Sequence, residues 1–111
     1  TFFGSYPAVL GITEDVPESY HRILGDRIVN NAKGDGVENI LDLMTAKGYE
    51  ATMEKAAAQK ALGADVIALS CTGMSSIQIA SSIEKAVGIP VLDPVMCEGL
   101  LTVFELLRKG I

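Results

Sequence analysis

Histidine is almost absent: His21 is the only one in 111 residues, and cysteine occurs only at positions 71 and 97. A structural zinc site takes about four His or Cys ligands, so neither a histidine-rich nor an all-cysteine site can be built from this chain. Two cysteines also form no recognisable disulfide framework. In an acidic, alanine-rich chain they are expected to be reduced thiols in a cytoplasm. Clusters of basic residues are missing as well. The nine Lys and Arg are scattered and the net charge is -5, which argues against nucleic acid, whose phosphates call for grouped cations. Long apolar runs are absent too. Stretches such as 64–69 and 89–92 fall far short of the roughly 20 residues that cross a bilayer, and no basic segment leads into a secretory signal. The chain also lacks an initiator Met and begins at Thr1, which reads as a processing point or the boundary of a longer protein.

What is present is enough apolar residue, 49%, for one packed domain rather than a disordered chain. Residues 8–13 form a short apolar run of strand length, ended by Glu14-Asp15 and Pro17. Pro17 suits the first turn of a helix over 18–24, with Asp15 placed to cap it. Residues 27–30 read as a second strand, or as part of one continuous helix over 17–32, since Gly25 is only a moderate breaker. After the turn 33–36, a helix follows over 39–46. A clearer one runs from 49 to 62, with Met53, Ala56, Ala57 and Ala61 on one face and Gly63 closing it.

The second half is more sharply patterned. Residues 64–70 do not alternate apolar with polar, as expected of a strand buried on both faces. Cys71-Thr72-Gly73 makes the turn. Ser75 with Gln78 matches a capping box opening a helix that buries Ile77, Ala80, Ile83 and Val87 and stops at Gly88. Residues 89–92 form the last strand, entered through Pro90. Pro94 breaks it, and a final helix over 95–108 is expected to turn Leu100, Val103, Phe104 and Leu107 inward. Strand and helix in alternation predict an α/β fold: an open, parallel four-stranded sheet in order 2-1-3-4, flanked by helices. Ligands in such sheets bind beyond the carboxyl ends of the strands. That places the chemistry in the loops 13–16, 71–74 and 93–97.

Cys71 directly follows the buried strand and precedes a helix start. Unpaired amides and the helix dipole there would favour a thiolate, and the amides of 72–75 could bind a substrate carboxylate. Gly73 lets a ligand approach the backbone closely. A thiolate beside an anion cradle suits removal of a proton alpha to a carboxylate. Equally, a free cysteine at this place can be a small core hydrophobe.

The segment Gly63-Ala64-Asp65-Val66-Ile67-Ala68-Leu69-Ser70-Cys71-Thr72-Gly73-Met74 resembles the second catalytic-cysteine segment of the aspartate/glutamate/hydantoin racemase superfamily. Gly88-Ile89-Pro90-Val91-Leu92-Asp93-Pro94-Val95 is similar to its next strand and loop. Gly-Met after Cys-Thr resembles the hydantoin racemases more than the glutamate enzymes, and Ser70-Cys71-Thr72 is also similar to the maleate isomerase and arylmalonate decarboxylase branch. The resemblance implies one Rossmann-like lobe, the C-terminal one, of a two-lobed protein whose lobes offer a cysteine each to opposite faces of the substrate. It implies a small carboxylate or amide substrate and no metal, pyridoxal phosphate or nucleotide. A half-protein that exposes its interlobe face is expected to self-associate as a homo-oligomer, and the short apolar runs predict no membrane partner. One thiolate removes the alpha proton and the other thiol returns one, while amide and hydroxyl donors stabilise the intermediate. On this mapping Cys71 is catalytic, Thr72 and Gly73 contact the substrate, and Thr13 is a weaker contact. The first lobe is missing from this chain, so complete two-base catalysis is not expected of it alone.

The remaining chemistry-bearing residues have simpler roles. Cys97 lies one loop from Cys71 in the same lobe, so it is expected to pack at the start of the last helix rather than act as a second base. His21 reads as a surface residue, Tyr20 as partly buried, Asp93 as the cap of the last helix through the Val95 or Met96 amide, and Ser75 and Ser76 as capping residues. Gly34 and Gly36 lack the strand and third glycine of a nucleotide loop. Two readings compete with racemisation: isomerase or decarboxylase chemistry on a single cysteine, and a non-catalytic small-molecule-binding domain.

Overall fold

The computed structural model describes residues 6–110; Thr1, where the sequence reading put a processing point, lies outside them. Four parallel strands form the sheet: β1 (Pro7–Gly11), β2 (Asn31–Lys33), β3 (Val66–Leu69) and β4 (Val91–Leu92), in the order β2-β1-β3-β4. This is the order expected from the alternation of elements. β1 and β3 occupy the centre and pair in register, Ala8 with Ile67 and Leu10 with Leu69. Every residue of β1 is buried, which explains its unbroken apolar run, because a central parallel strand is covered on both faces.

The helices are α1 (Glu18–Leu24), α2 (Ile40–Leu43), α3 (Ala46–Ala61), α4 (Thr72–Ser76), α5 (Ile79–Val87) and α6 (Pro94–Arg108). Helices α3 and α5 pack together, and their inward side chains join Ala8, Leu10, Ile67 and Leu69 in one apolar core. Burying each large aliphatic there contributes roughly 1.5–3 kcal/mol. α5 buries Ile83 and Val87 as expected, but its third buried residue is Ile79, while Ile77 precedes the helix and Ala80 is only partly buried. Gly88 ends it in the left-handed conformation at φ 77°, a geometry that glycine adopts without a Cβ penalty.

Several expectations are corrected. The second strand is 31–33 and not 27–30, because residues 25–27 take a 3-10 turn after α1; no continuous helix spans 17–32. Asp15 does not cap α1, whose N-cap is Pro17 without a side-chain bond. The inward face of α3 is Thr52, Ala56 and Gln59, whereas Ala57 and Ala61 are exposed. Gln59 is held inside by donating from Nε2 to the Val9 carbonyl at 2.8 Å and to Asn30 Oδ1 at 3.1 Å. Small size suggested the alanines, but the buried Gln59 NH2 finds one backbone and one side-chain acceptor, while its Oε1 is buried without a partner.

The largest correction concerns α6. Leu100, Val103, Phe104 and Leu107 point away from the core, and α6 has no buried residue. It starts correctly, with Asp93 Oδ1 accepting from the Val95 and Met96 amides at 2.9 and 3.0 Å. It then leaves the sheet, touching chiefly α4. The apolar pattern predicts an inward face, but none of the described residues covers that face.

Candidate active site

Parallel strands bring the loops after β1, β3 and β4 to one edge of the sheet. Cys71 lies at that edge, two residues beyond the end of β3. It takes an extended conformation (φ -124°, ψ 123°) as N-cap of α4. Its carbonyl accepts from the Met74 amide at 3.0 Å, while Met74 itself is fully buried and anchors the turn. Cys71 is half-buried, a free thiol leaning on the edge of the core. The sulfur is therefore neither sealed inside nor fully exposed.

The helix after Cys71 begins sooner than the sequence suggested. α4 opens at Thr72, so the capping box at Ser75 does not form. Instead Gln78 adopts φ 55°, left-handed and outside glycine's usual monopoly, and separates α4 from α5. The Gln78 amide donates to the Ser75 carbonyl at 2.9 Å. The consequence for the site is mixed. The Thr72 and Gly73 amides open a helix, where N–H groups have no acceptor within it. But α4 is only five residues long, so its dipole is small.

Two glycines fix the shape of this edge. A Cβ on Gly73 would lie 2.8 Å from Ile40 Cδ1 and Cγ1, so α2 sits directly against the turn that carries Cys71. A Cβ on Gly11 would collide with Ser70 Oγ, which locks the end of β1 to the residue before Cys71. Sequence reading assigned neither Ile40 nor Ser70 this packing role. The signal available was only that Gly11 and Gly73 stand at strand ends.

The other expected residues are dispersed. Thr13 is exposed, and its hydroxyl donates to the Asp15 carbonyl at 3.1 Å inside its own loop. His21 is exposed on α1. Tyr20 is partly buried, as expected, and its hydroxyl donates to the Leu69 carbonyl at 2.8 Å. Burial raises the Tyr20 pKa above its usual 10.0, with a further push from Cys97. Cys97 is not packed at the start of α6 as expected. It is exposed and lines an apolar slot of about 430 Å³ with Tyr20, Ile23, Leu24, Ala68 and Leu92, to which Cys71 does not contribute. A surface cavity of about 520 Å³ lies between α2, α3 and Ile77, and Cys71, Thr72, Gly73 and Thr13 do not line it. Among the described residues, no three His, Cys, Asp or Glu side chains gather as a metal site would require. No helix among them is long and apolar enough to cross a membrane.

The family model described as Asp/Glu/Hydantoin racemase matches residues 9–98. The chain belongs to that family. The match runs from within β1 to the start of α6, and so includes Cys71 and at least part of every strand. A crystal structure of an allantoin racemase from Pseudomonas fluorescens is similar at 26% identity with a TM-score of 0.74. The similarity covers 98% of this chain and 48% of that one, so this racemase-family chain spans about half the length of that neighbour. No curated protein matches it.

Proposed function

We propose that this chain is one lobe of a cofactor-independent racemase, with Cys71 moving the proton at the alpha carbon of a hydantoin-like compound or amino acid. The observation that carries the reading is the place of Cys71. It stands half-buried at the carboxyl end of a central parallel strand, beside the first amides of α4, in a chain of the racemase family. The similarity to an allantoin racemase favours the hydantoin-like ring over a free amino acid, since allantoin carries that ring.

In the proposed step the Cys71 sulfur, as thiolate, forms an S–H bond as the alpha C–H bond breaks. The electron pair moves into the adjacent carbonyl to give an enolate. The Thr72 and Gly73 amides face the growing charge on that oxygen, and Thr13 borders the same edge as a secondary contact. Reprotonation from the opposite face requires a second thiol from another lobe; this chain supplies one face only.

Exchange of the alpha hydrogen needs only one base, whereas inversion needs two. The test is therefore proton NMR in deuterium oxide with allantoin, 5-substituted hydantoins and amino acids offered in turn. Loss of the alpha-proton signal on a hydantoin-like compound is expected, and Cys71→Ser should abolish it while the circular dichroism spectrum stays unchanged. If no compound exchanges, or if the Ser variant exchanges at the wild-type rate, Cys71 is not the base.

A further inference from the structure

We infer that Tyr20 is a positioning residue for Cys71: its hydroxyl stands in for a strand hydrogen bond that the sequence cannot make, and so fixes the end of β3. The inference rests on Cys71 acting as the base, and its test separates the two claims.

The register of the sheet shows which bond is missing. Ile67 pairs with Val91, and the Ile67 amide donates to the Pro90 carbonyl at 3.0 Å. In a parallel ladder, the carbonyl of such a residue accepts from the amide of the residue after its partner. Two residues on, the donor due at the Leu69 carbonyl is therefore the amide of position 94. That position is Pro94, the first residue of α6, which has no N–H. β4 has by then ended at Leu92. Leu69 is fully buried, so its carbonyl cannot turn to water, and a buried acceptor left unpaired is costly.

Tyr20 supplies the donor. Its hydroxyl reaches the Leu69 carbonyl from α1 at 2.8 Å, across 49 residues of chain. The ring lies in the slot with Ala68, Leu92 and Pro94, beside the place where the ladder stops. Cys71 comes two residues after Leu69. On the β1 side the same segment is held by the Ser70 amide, which donates to the Leu10 carbonyl at 3.0 Å, and by Ser70 Oγ against Gly11. The chain entering Cys71 is thus clamped from both flanks, by β1 and by α1. Because α1 follows the loop that carries Thr13, the same hydroxyl ties that loop to the cysteine turn.

In a Cys97→Ser background Cys71 is the one remaining thiol. Tyr20→Phe then keeps the ring and removes the donor. With the end of β3 released, iodoacetamide should alkylate the half-buried Cys71 about fivefold faster, the factor carried by one neutral hydrogen bond. Alpha-hydrogen exchange on a hydantoin-like compound should fall about tenfold, because the base is less well aligned. Val87→Ala, a core truncation at the last residue of α5 and the opposite edge of the sheet, should lower stability to urea and leave both rates alone. Adding Pro94→Ala to Tyr20→Phe returns an N–H to the register position and should bring both rates back towards wild type. Wild-type rates in Tyr20→Phe, an equal rise in alkylation in Val87→Ala, or no recovery with Pro94→Ala would each overturn the inference. If no variant exchanges the alpha hydrogen while the alkylation contrast persists, Cys71 is not the base, but Tyr20 still sets its position.

Discussion

Tyr20 shows how one side chain on the open face of the sheet is held. Its hydroxyl donates to the Leu69 carbonyl, and its ring lines the slot beside Ala68 and Leu92. Burial, and then Cys97, raise its pKa above 10.0. The folded chain thus keeps this proton to a higher pH than the unfolded chain does. The associated stability is complete below pH 10 and is lost as pH rises through the folded value. Spectrophotometric titration should find one of the three tyrosines ionising late, and Tyr20→Phe should remove that component. The same substitution should cost about 1 kcal/mol through the lost hydrogen bond, read by urea unfolding at neutral pH. Three tyrosines ionising together would contradict the assignment. At this scale the sequence was informative where chemistry is local. Asp93 caps α6 as its position before Pro94-Val95 suggested, and His21 lies on the surface. It was blind to Ile40 and Ser70, because their contacts with Gly73 and Gly11 join residues distant in the chain.

Between elements, the α2–α4 contact decides where Cys71 sits. Ile40 fills the space that a side chain at position 73 would need, so Gly73→Ala must push α2 away or shift the turn. Overpacking of this kind costs about 1–3 kcal/mol. Ile40→Ala should accommodate the new methyl, and the double variant is expected to lose less than the two single losses added, with a coupling of roughly 1 kcal/mol. Strict additivity in urea unfolding would show that Ile40 is not what constrains Gly73. The strand order and the end of β3 at the cysteine turn were legible because apolar runs and glycine stops are read along the chain. The break between α4 and α5 was not. Ser75 and Gln78 carry a capping-box signature, but burial of Met74 and Ile79 on either side draws the helix start back to Thr72 and leaves Gln78 in a left-handed bend. Packing overrode a local cap worth about 1 kcal/mol.

For the whole molecule, α6 is the long helix whose apolar face the described residues leave exposed. Its apolar spacing predicts a buried face, and the structure leaves that face exposed. Removing that face from water can stabilise the fold only in proportion to the partner present. If a second copy of this chain were what covers α6, unfolding would release two chains from one dimer. Each tenfold rise in concentration then adds about 1.4 kcal/mol per dimer, half of it per chain. For a domain of this size that is an increase in Tm of about 3–5 °C per decade. Differential scanning calorimetry at increasing protein concentration should show this climb, and Leu100→Lys/Phe104→Lys should flatten it. A Tm independent of concentration in the wild-type chain would mean that the fold is complete with α6 bare. The surplus surface would then be tolerated by the core of α3, α5 and the sheet alone.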